Sequence, residues 1–281
     1  MIKAIFDIYG GIILAVIFAV LFIAESKFEL RKRVQGRWKR MLINFIVAIP
    51  AFLLLRLMFI PAMVWLAIQN KDWQIGLNYF FEAPSPVKFC VAFLLLDYSN
   101  YVWHILLHKL PILWRFHLVH HTDLDLDITT AFRFHFGEMI GSVIFRGMAV
   151  VLTGASPMLI IVYEIVFEAA TQFHHSNVKL NFPLEKFLNK LLVTPRMHGI
   201  HHSVVQKETD SNYSVIFSFW DRLHKTIRLN ISQQEIITGV AAYSNHQELT
   251  IGKLLKLPFT KIRGQKGSHR QTDKHFSELK E

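Results

Sequence analysis

Eleven of the chain's 15 histidines lie between His104 and His202, and their spacing repeats. His104 and His108 are four residues apart, and the motif H-x-x-H-H occurs twice, at 117–121 and at 198–202. Residues three and four positions apart share one face of a helix, so each motif can direct several imidazole rings toward one centre. Neutral imidazole is a good ligand for iron, zinc, copper and nickel. The pattern predicts a metal centre, and this many histidines suits two ions better than one, because one ion takes about four to six ligands.

The composition is that of a membrane protein. Of the 281 residues, 52% are hydrophobic and 24 are phenylalanine, and the mean hydropathy is +0.30. These values exceed those of ordinary soluble domains. The single cysteine excludes an internal disulfide and a cysteine-ligated zinc site. The net charge is +10, but the basic residues flank apolar segments, so nucleic acid is not an expected partner.

The first apolar stretch, residues 4–24, is long enough to cross a hydrocarbon core of about 30 Å. A cleaved signal peptide would have a shorter apolar run and a small-residue cleavage site. Here residues 27–40 follow instead, with seven Lys and Arg. Because excess basic charge marks the cytoplasmic side of a membrane protein, we expect residues 27–40 to be cytoplasmic.

Two further apolar stretches precede the histidines. Residues 41–69 lead outward, and Arg56 and Pro61 interrupt them, which predicts either a kink or a break into two helices. After a polar loop at 70–87, residues 88–107 return to the cytoplasm. The histidines are therefore expected to begin near the cytoplasmic surface of the membrane.

A fourth hydrophobic region, residues 139–173, separates the two sets of histidines. A single crossing would leave the sets on opposite sides of the membrane, where they could not share a centre. The turn signal Gly-Ala-Ser-Pro at 154–157 instead predicts a helical hairpin that enters and returns. Because about 35 residues are too few for two spans of about 20 each, we expect the hairpin to be partial or tilted.

These stretches predict an all-α polytopic membrane protein with about four transmembrane helices or helical hairpins and a cytosolic helical cap that holds a dimetal centre. We expect three parts: N-terminal spans with the basic loop at 1–87, the histidine boxes at 88–225, and a basic cytoplasmic tail at 226–281. Residues 249–281 are rich in Lys, Arg and polar residues, so weak structure beside anionic headgroups is expected there.

Asp97 shares a helical stripe with His104 and His108, and a charge inside an apolar helix is costly unless it is paired. Ligating histidines usually donate their second N–H to a carboxylate or a carbonyl. A histidine of the cluster is therefore the simplest expected partner of Asp97.

Other acids allow two readings each. Glu164 and Glu168 either orient histidines or form buried ion pairs with Arg146 or Arg133. The three aspartates between 123 and 127 either orient the first H-x-x-H-H box or form a solvated acidic loop. The sequence leaves both alternatives open.

Six segments between residues 97 and 223 carry a resemblance to a known family. They read D-Y-S-N-Y-V-W-H-I-L-L-H (97–108), L-W-R-F-H-L-V-H-H-T-D (113–123), T-A-F-R-F-H-F-G-E (130–138), F-H-H-S-N (173–177), T-P-R-M-H-G-I-H-H-S (194–203), and T-D-S-N-Y (209–213) with F-W-D-R-L (219–223). In order and spacing they resemble the fatty acid hydroxylase / sterol desaturase superfamily of integral-membrane di-iron enzymes. The resemblance implies a helical membrane domain below a cytosolic cap and makes 88–225 the catalytic domain.

The resemblance also implies ten metal ligands by position. They are His104, His108, His117, His120, His121, His135, His174, His198, His201 and His202. His135 is included because it begins the segment 135–138, where the family has H-P-x-E. His175 is not included, because it follows the position that matches the family. Asp97 and Glu168 are expected to support the ligands, and no catalytic residue is predicted beyond them.

The resemblance implies an O2-dependent di-iron oxygenase that hydroxylates an unactivated C–H bond of a fatty acyl or sterol-like lipid. A lipid desaturase and an ether-lipid monooxygenase are alternatives on the same centre, and a membrane metal-binding or transport protein is the non-enzymatic one. The implied cofactors are two iron ions with O2 as co-substrate, and zinc as a substitute. No cytochrome-like segment is present, so the expected partners are the membrane, its lipid and a separate electron donor, such as a reductase, a ferredoxin or a cytochrome.

Overall fold

The computed structural model describes residues 9–263, and all regular elements within this range are helices. The prediction of an all-α fold is confirmed. The long helices are α1 (Gly11–Lys27), α2 (Arg37–Leu54), α3 (Ile60–Trp73), α4 (Ser85–Lys109), α5 (Pro111–His121), α6 (Phe136–Thr153) and α7 (Pro157–His175). The short helices are α8 (Phe182–Leu188), α9 (Pro195–His201), α10 (Gln206–Thr209), α11 (Phe219–Leu223) and α12 (Ile251–Lys256).

Helices α2 and α3 form one long rod, because a π-helical turn at Leu55–Phe59 joins them without a break. At 1.5 Å per residue the rod measures about 55 Å, well beyond the hydrocarbon core. Its first turns are polar and buried: Arg40 and Asn44 both contact Asp123, close to the histidines. The start of α2 therefore belongs to the layer that holds the histidines, and the rest is available to the membrane.

Within residues 9–263, three helical segments are long and apolar enough to cross a membrane: 37–79, 85–109 and 136–153. Helix α1 adds an exposed apolar stripe formed by Ile12, Val16, Val20 and Ile23, which suits contact with lipid. The predicted span at 4–24 begins outside the described residues. The expected total of four spans stays a prediction.

The two helices and the turn of the predicted hairpin are confirmed, whereas its partial or tilted insertion into the membrane stays a prediction. Helix α6 ends at Thr153, Gly154 adopts the left-handed conformation with φ +66°, and the Ser156 hydroxyl caps the start of α7. The turn is tight against the 74–79 loop, since a Cβ on Gly76 would lie 2.3 Å from the Gly154 nitrogen. Helix α7 thus returns the chain to the end of α4 that carries His104.

The C-terminal segment differs from the expectation of weak structure. Leu254 and Leu257 are buried and pack with Val47 of α2 and with Leu118 and Val119 of α5. Apolar side chains spaced along 249–262 give this segment one face that can be buried. The Lys and Arg residues between them made this apolar pattern hard to recognise in the sequence. The part of the predicted tail from 264 to 281 lies outside the described residues.

Candidate metal centre

Nine buried histidines converge into two groups. In each group, one ring nitrogen per residue lies within 4.8 Å of the corresponding atoms of the others, a geometry that could hold a metal ion. The first group contains His104, His108, His117, His121 and His201. The second group contains His120, His175, His198 and His202.

Each H-x-x-H-H box serves both groups. In the first box, His117 and His121 belong to the first group, and His120 belongs to the second. In the second box the division is reversed: His198 and His202 belong to the second group, and His201 belongs to the first. The reason is helical geometry. The directions of consecutive side chains differ by about 100° around the helix axis, so the side chains at i and i+4 point in nearly the same direction, whereas those at i+3 and i+4 do not. The sequence pattern had suggested three rings on one side of each box.

The ring nitrogens of the second group are spaced as metal ligands are. The Nε2 atoms of His120 and His175 are 3.1 Å apart, those of His175 and His198 are 3.0 Å apart, and those of His198 and His202 are 3.1 Å apart. Ligands at about 2.1 Å from one ion lie roughly 3.0–3.4 Å from each other. Because a neutral imidazole carries only one N–H, a single ring cannot hydrogen-bond to all these neighbours at once.

The hydrogen bonds on the outer side of the rings fix which nitrogen faces inward. His104 Nδ1 donates to the Tyr213 carbonyl at 2.8 Å, and His201 Nδ1 donates to the Ser211 carbonyl at 2.7 Å. The Nε2 atoms of both rings therefore carry lone pairs, and both are buried with no hydrogen-bond partner in the described part of the chain. Such orphaned inward-facing nitrogens fit a metal ion, and the carbonyls act as the outer support common at these sites.

The rings are also in the protonation state that metal binding needs. Burial, reinforced by neighbouring histidines, holds the pKa of His198, His201 and His202 well below the usual value of 6.5. These rings stay neutral near pH 7, so their lone pairs are available without loss of a proton.

The loop at 211–215 holds the supporting carbonyls, and Asp221 holds the loop. The Asp221 carboxylate accepts hydrogen bonds from the backbone nitrogens of Tyr213 and Ser214, both at 2.9 Å. Asn212 has φ +56° and donates from its amide to the carbonyls of Met197 and Arg228. The segments 209–213 and 219–223 therefore matter to the site through backbone geometry.

Glu138 supports His117, a contact that the sequence reasoning missed. His117 Nδ1 donates to Glu138 Oε2 at 3.1 Å, and both side chains are buried. Glu138 lies in the first turn of α6, and its position within the segment 135–138 was the available signal.

We expect Glu138→Ala to weaken metal affinity by about 10- to 100-fold, because His117 loses the acceptor that orients its ring. Glu138→Gln keeps a carbonyl acceptor and should lose less. Competition with a chelator of known affinity measures the effect, and Glu235→Ala at an exposed site is the control. Unchanged affinity in Glu138→Ala would show that this hydrogen bond does not support the ligand.

The structure differs from the predicted ligand set at His135. Its Nδ1 accepts a hydrogen bond from the Gly137 nitrogen at 3.0 Å, and its Nε2 donates to the Leu255 carbonyl at 3.1 Å. Both nitrogens are thus occupied, and the ring lies outside both groups. His135 caps α6 and ties it to α12, the packed C-terminal helix that was not expected.

The structure also exchanges the two adjacent histidines at the end of α7. His175 belongs to the second group, whereas His174 belongs to neither. His174 Nδ1 lies 3.1 Å from the Val215 carbonyl, and its ring packs against the His198 ring with centroids 4.1 Å apart. Neighbouring helical side chains point about 100° apart, so the two rings approach His198 from different directions.

Asp97 contacts no histidine among the described residues, so the expected partner was wrong. Its Oδ2 accepts hydrogen bonds from Trp220 Nε1 at 2.8 Å and from the Phe217 nitrogen at 3.3 Å. Asp97 therefore anchors the loop before α11 to α4. Glu164 follows the ion-pair alternative, with Arg146 as its partner.

The three aspartates of the acidic loop at 123–127 are buried, and none of them binds a histidine within residues 9–263. It forms a buried network with α2 and the basic loop, in which the Arg40 guanidinium contacts Asp123 at 2.7 Å and also contacts Asp127. Asp125 accepts hydrogen bonds from the backbone nitrogens of Val34 and Gln35. The network lies directly after His121 and fixes that end of α5 to α2.

A cavity of about 620 Å³ reaches from the histidines to the apolar helices. At one end it is lined by His104, His117 and His175, and at the other by Leu14 of α1 and Phe52 of α2. The surface of the wall is mainly apolar, and Arg146 and Glu168 are among the polar residues that line it. A long apolar molecule could therefore extend from the membrane-facing helices to the histidine groups.

The comparisons with known proteins agree with this arrangement. Residues 89–226 match the model of the fatty acid hydroxylase family. Alkylglycerol monooxygenase of Danio rerio is 34% identical over 53% of this chain and 32% of its own length. Ornithine lipid hydroxylase OlsE of Rhizobium tropici is 29% identical over 52% and 44%, and Homo sapiens cholesterol 25-hydroxylase is 30% identical over 50% and 51%.

The matched region covers about a third to a half of these relatives. No solved structure matches the chain significantly. The matched segment holds all nine converging histidines and the loop that supports them. Residues 89–226, just under half of the chain, therefore form a domain similar to the fatty acid hydroxylase family.

Proposed function

We propose that this protein is a membrane-bound, O2-dependent di-iron oxygenase that hydroxylates an unactivated C–H bond of a lipid. The observation that carries the proposal is the cavity, because its lining joins the two histidine groups to apolar helices suited to a membrane. A fatty acyl or sterol-like molecule matches this mainly apolar lining.

The nine converging histidines are the proposed metal ligands, five around one ion and four around the other. When bound, iron would supply the reduction of O2 and the oxidising power that an unactivated C–H bond requires. Zinc is a substitute that imidazole ligands also accept. Electrons come from a separate donor, such as a reductase, a ferredoxin or a cytochrome.

The chain's own contribution is positioning and exclusion of water. The carbonyls at 211–215 and the Glu138 carboxylate orient the rings. Phe132 and Phe134 line the cavity beside the histidines and keep the site apolar. By lining the cavity, Phe132 and Phe134 hold the reacting carbon of the lipid near the two histidine groups.

We propose a multi-pass arrangement with the metal site on the cytoplasmic side. The basic loop at 27–40 supports this side, because its Arg40 contacts Asp123 two residues after His121. The histidine groups and the basic loop thus lie at the same end of the molecule. We retain the division into 1–87, 88–225 and 226–281 as part of the proposal.

An ether-lipid monooxygenase is the second candidate, because alkylglycerol monooxygenases of Danio rerio and Homo sapiens are among the relatives. A desaturase would use the same centre. A metal transporter is less well supported, since transport requires ligands along the spans and the nine histidines gather at one end.

Comparative lipid mass spectrometry of cells with and without the gene tests the proposal. We expect a lipid that gains one oxygen atom, and growth under ¹⁸O2 should place the label in that product. Cells that express His117→Ala/His201→Ala are the matched control and should lack the product. A new double bond without label would indicate a desaturase, and a fatty aldehyde would indicate ether cleavage. No changed lipid in any fraction would contradict the oxygenase.

A further inference from the structure

One face of α7 carries three polar side chains in the otherwise mainly apolar cavity. Glu168, Thr171 and Gln172 are spaced i, i+3 and i+4, so they lie together on the helix, and all three line the cavity. The same face continues to His175, seven residues after Glu168. The three residues, here called the α7 polar face, lie between the apolar helices and the histidine groups.

Two oxygen atoms of this face have no protein partner among residues 9–263. Thr171 Oγ1 and Gln172 Oε1 are buried, with residue exposures of 3% and 2%, and neither has a hydrogen bond. A threonine hydroxyl in a helix ordinarily bonds the carbonyl four residues earlier, and Thr171 does not. Buried polar atoms are rarely left unpaired, so each such atom needs an explanation.

Glu168 adds a carboxylate with no ion pair within residues 9–263. Arg146, which also lines the cavity, is already paired with Glu164 and stacked on Phe167. A carboxylate, an amide oxygen and a hydroxyl oxygen are all hydrogen-bond acceptors. The Thr171 hydroxyl and the Gln172 amide nitrogen can donate as well, but accepting is the capacity that all three side chains share, so a group that donates hydrogen bonds can be bound by all of them together.

We propose that the α7 polar face binds a hydrogen-bond-donating group of the lipid, a hydroxyl or an ammonium, and thereby selects the substrate and the carbon that is oxidised. The inference rests on the proposed function and names the substrate class: lipids with a donor group close to the oxidised position. Seven residues of helix separate Glu168 from His175, about 10 Å along the axis. A lipid held at the face therefore presents a carbon within about that distance of its donor group.

Binding of four probes with the same chain tests the inference: hexadecanol, hexadecylamine, methyl hexadecyl ether and hexadecane. Native mass spectrometry of the metal-loaded full chain in detergent counts the probe retained per protein. We expect half-saturation by hexadecanol or hexadecylamine at roughly tenfold lower concentration than by the ether or the alkane. Tighter binding of hexadecylamine than of hexadecanol would identify the bound donor group of the lipid as cationic. Equal binding of these two probes would identify it as a neutral hydroxyl.

Glu168→Gln and Thr171→Val/Gln172→Leu should reduce this preference to less than about threefold while metal content stays at the wild-type value. Glu235→Gln, the same change at an exposed site, is the control and should keep the preference. Equal retention of hexadecanol and hexadecane by the wild type would overturn the inference. So would variants that lower retention of all four probes alike.

The two proposals fail in different ways. Loss of the preference with ¹⁸O-labelled product still formed overturns the binding face and leaves the oxygenase intact. A preserved preference in a protein that binds no iron and forms no product supports the face and contradicts the oxygenase.

Discussion

His175→Ala is expected to leave at most one metal ion per chain and to lower oxidation activity by at least about a hundredfold, whereas His174→Ala should keep two ions. The reason is that His175 Nε2 lies 3.0–3.1 Å from the Nε2 atoms of His198 and His120, while His174 lies outside both groups. Removing one of only four ligands costs more than removing a supporting contact. Elemental analysis of purified, iron-loaded protein measures the ions, and a lipid-oxidation assay measures the activity.

His135→Ala is the second control, and it should also keep both ions, because its nitrogens bond Gly137 and Leu255. If His174→Ala lost metal and His175→Ala did not, the assignment of the second group would be reversed. Loss of metal in His135→Ala with the fold intact would restore His135 to the ligands.

Arg40→Met should lower the free energy of unfolding by about 3–5 kcal/mol. Arg40 and its partners Asp123 and Asp127 are all buried, so the variant removes the closest cation of two interior carboxylates and leaves each with one arginine at 3.9 Å, Arg133 and Arg33 respectively. Removing one partner of a buried ionic network is far more costly than removing a surface pair. Denaturant unfolding in detergent, followed by tryptophan fluorescence, measures the loss.

Lys39→Met changes the neighbouring cation on the exposed side of α2 and should change stability by no more than about 0.5 kcal/mol. Adding Asp127→Asn to Arg40→Met should recover part of the loss, because it removes one uncompensated charge. A loss below about 1 kcal/mol in Arg40→Met would mean that water or another cation reaches the aspartates.

Local sequence signals predicted much of the fold. The Gly-Ala-Ser-Pro turn at 154–157 was sufficient to place the hairpin, because a left-handed glycine and a serine cap need only nearby residues. The length of the α2–α3 rod was harder to predict, since Arg56 and Pro61 suggest an interruption, whereas the π-helical turn at Leu55–Phe59 keeps the rod continuous. The packed segment at 249–262 depends on surfaces from α2 and α5 that its own sequence does not contain.

Within the site, the residues that take part were easier to predict than the directions in which their side chains point. Spacing identified the histidines that converge from α4, α5 and α9, but it could not choose between His174 and His175. That choice depends on how α7 is rotated against its neighbours. The partners of Asp97 and His117 likewise come from loops and helices remote in sequence, Trp220 and Glu138.

The interleaving of the two H-x-x-H-H boxes has a consequence for assembly. Because α5 and α9 each supply both groups, two bound ions would tie these helices together at two points, as a pair of non-covalent cross-links. Separating the helices would then require release of both ions, so metal uptake and completion of the cap become one thermodynamic event. Chelation should accordingly loosen α5 and α9 together, well before it affects the apolar helices beneath them.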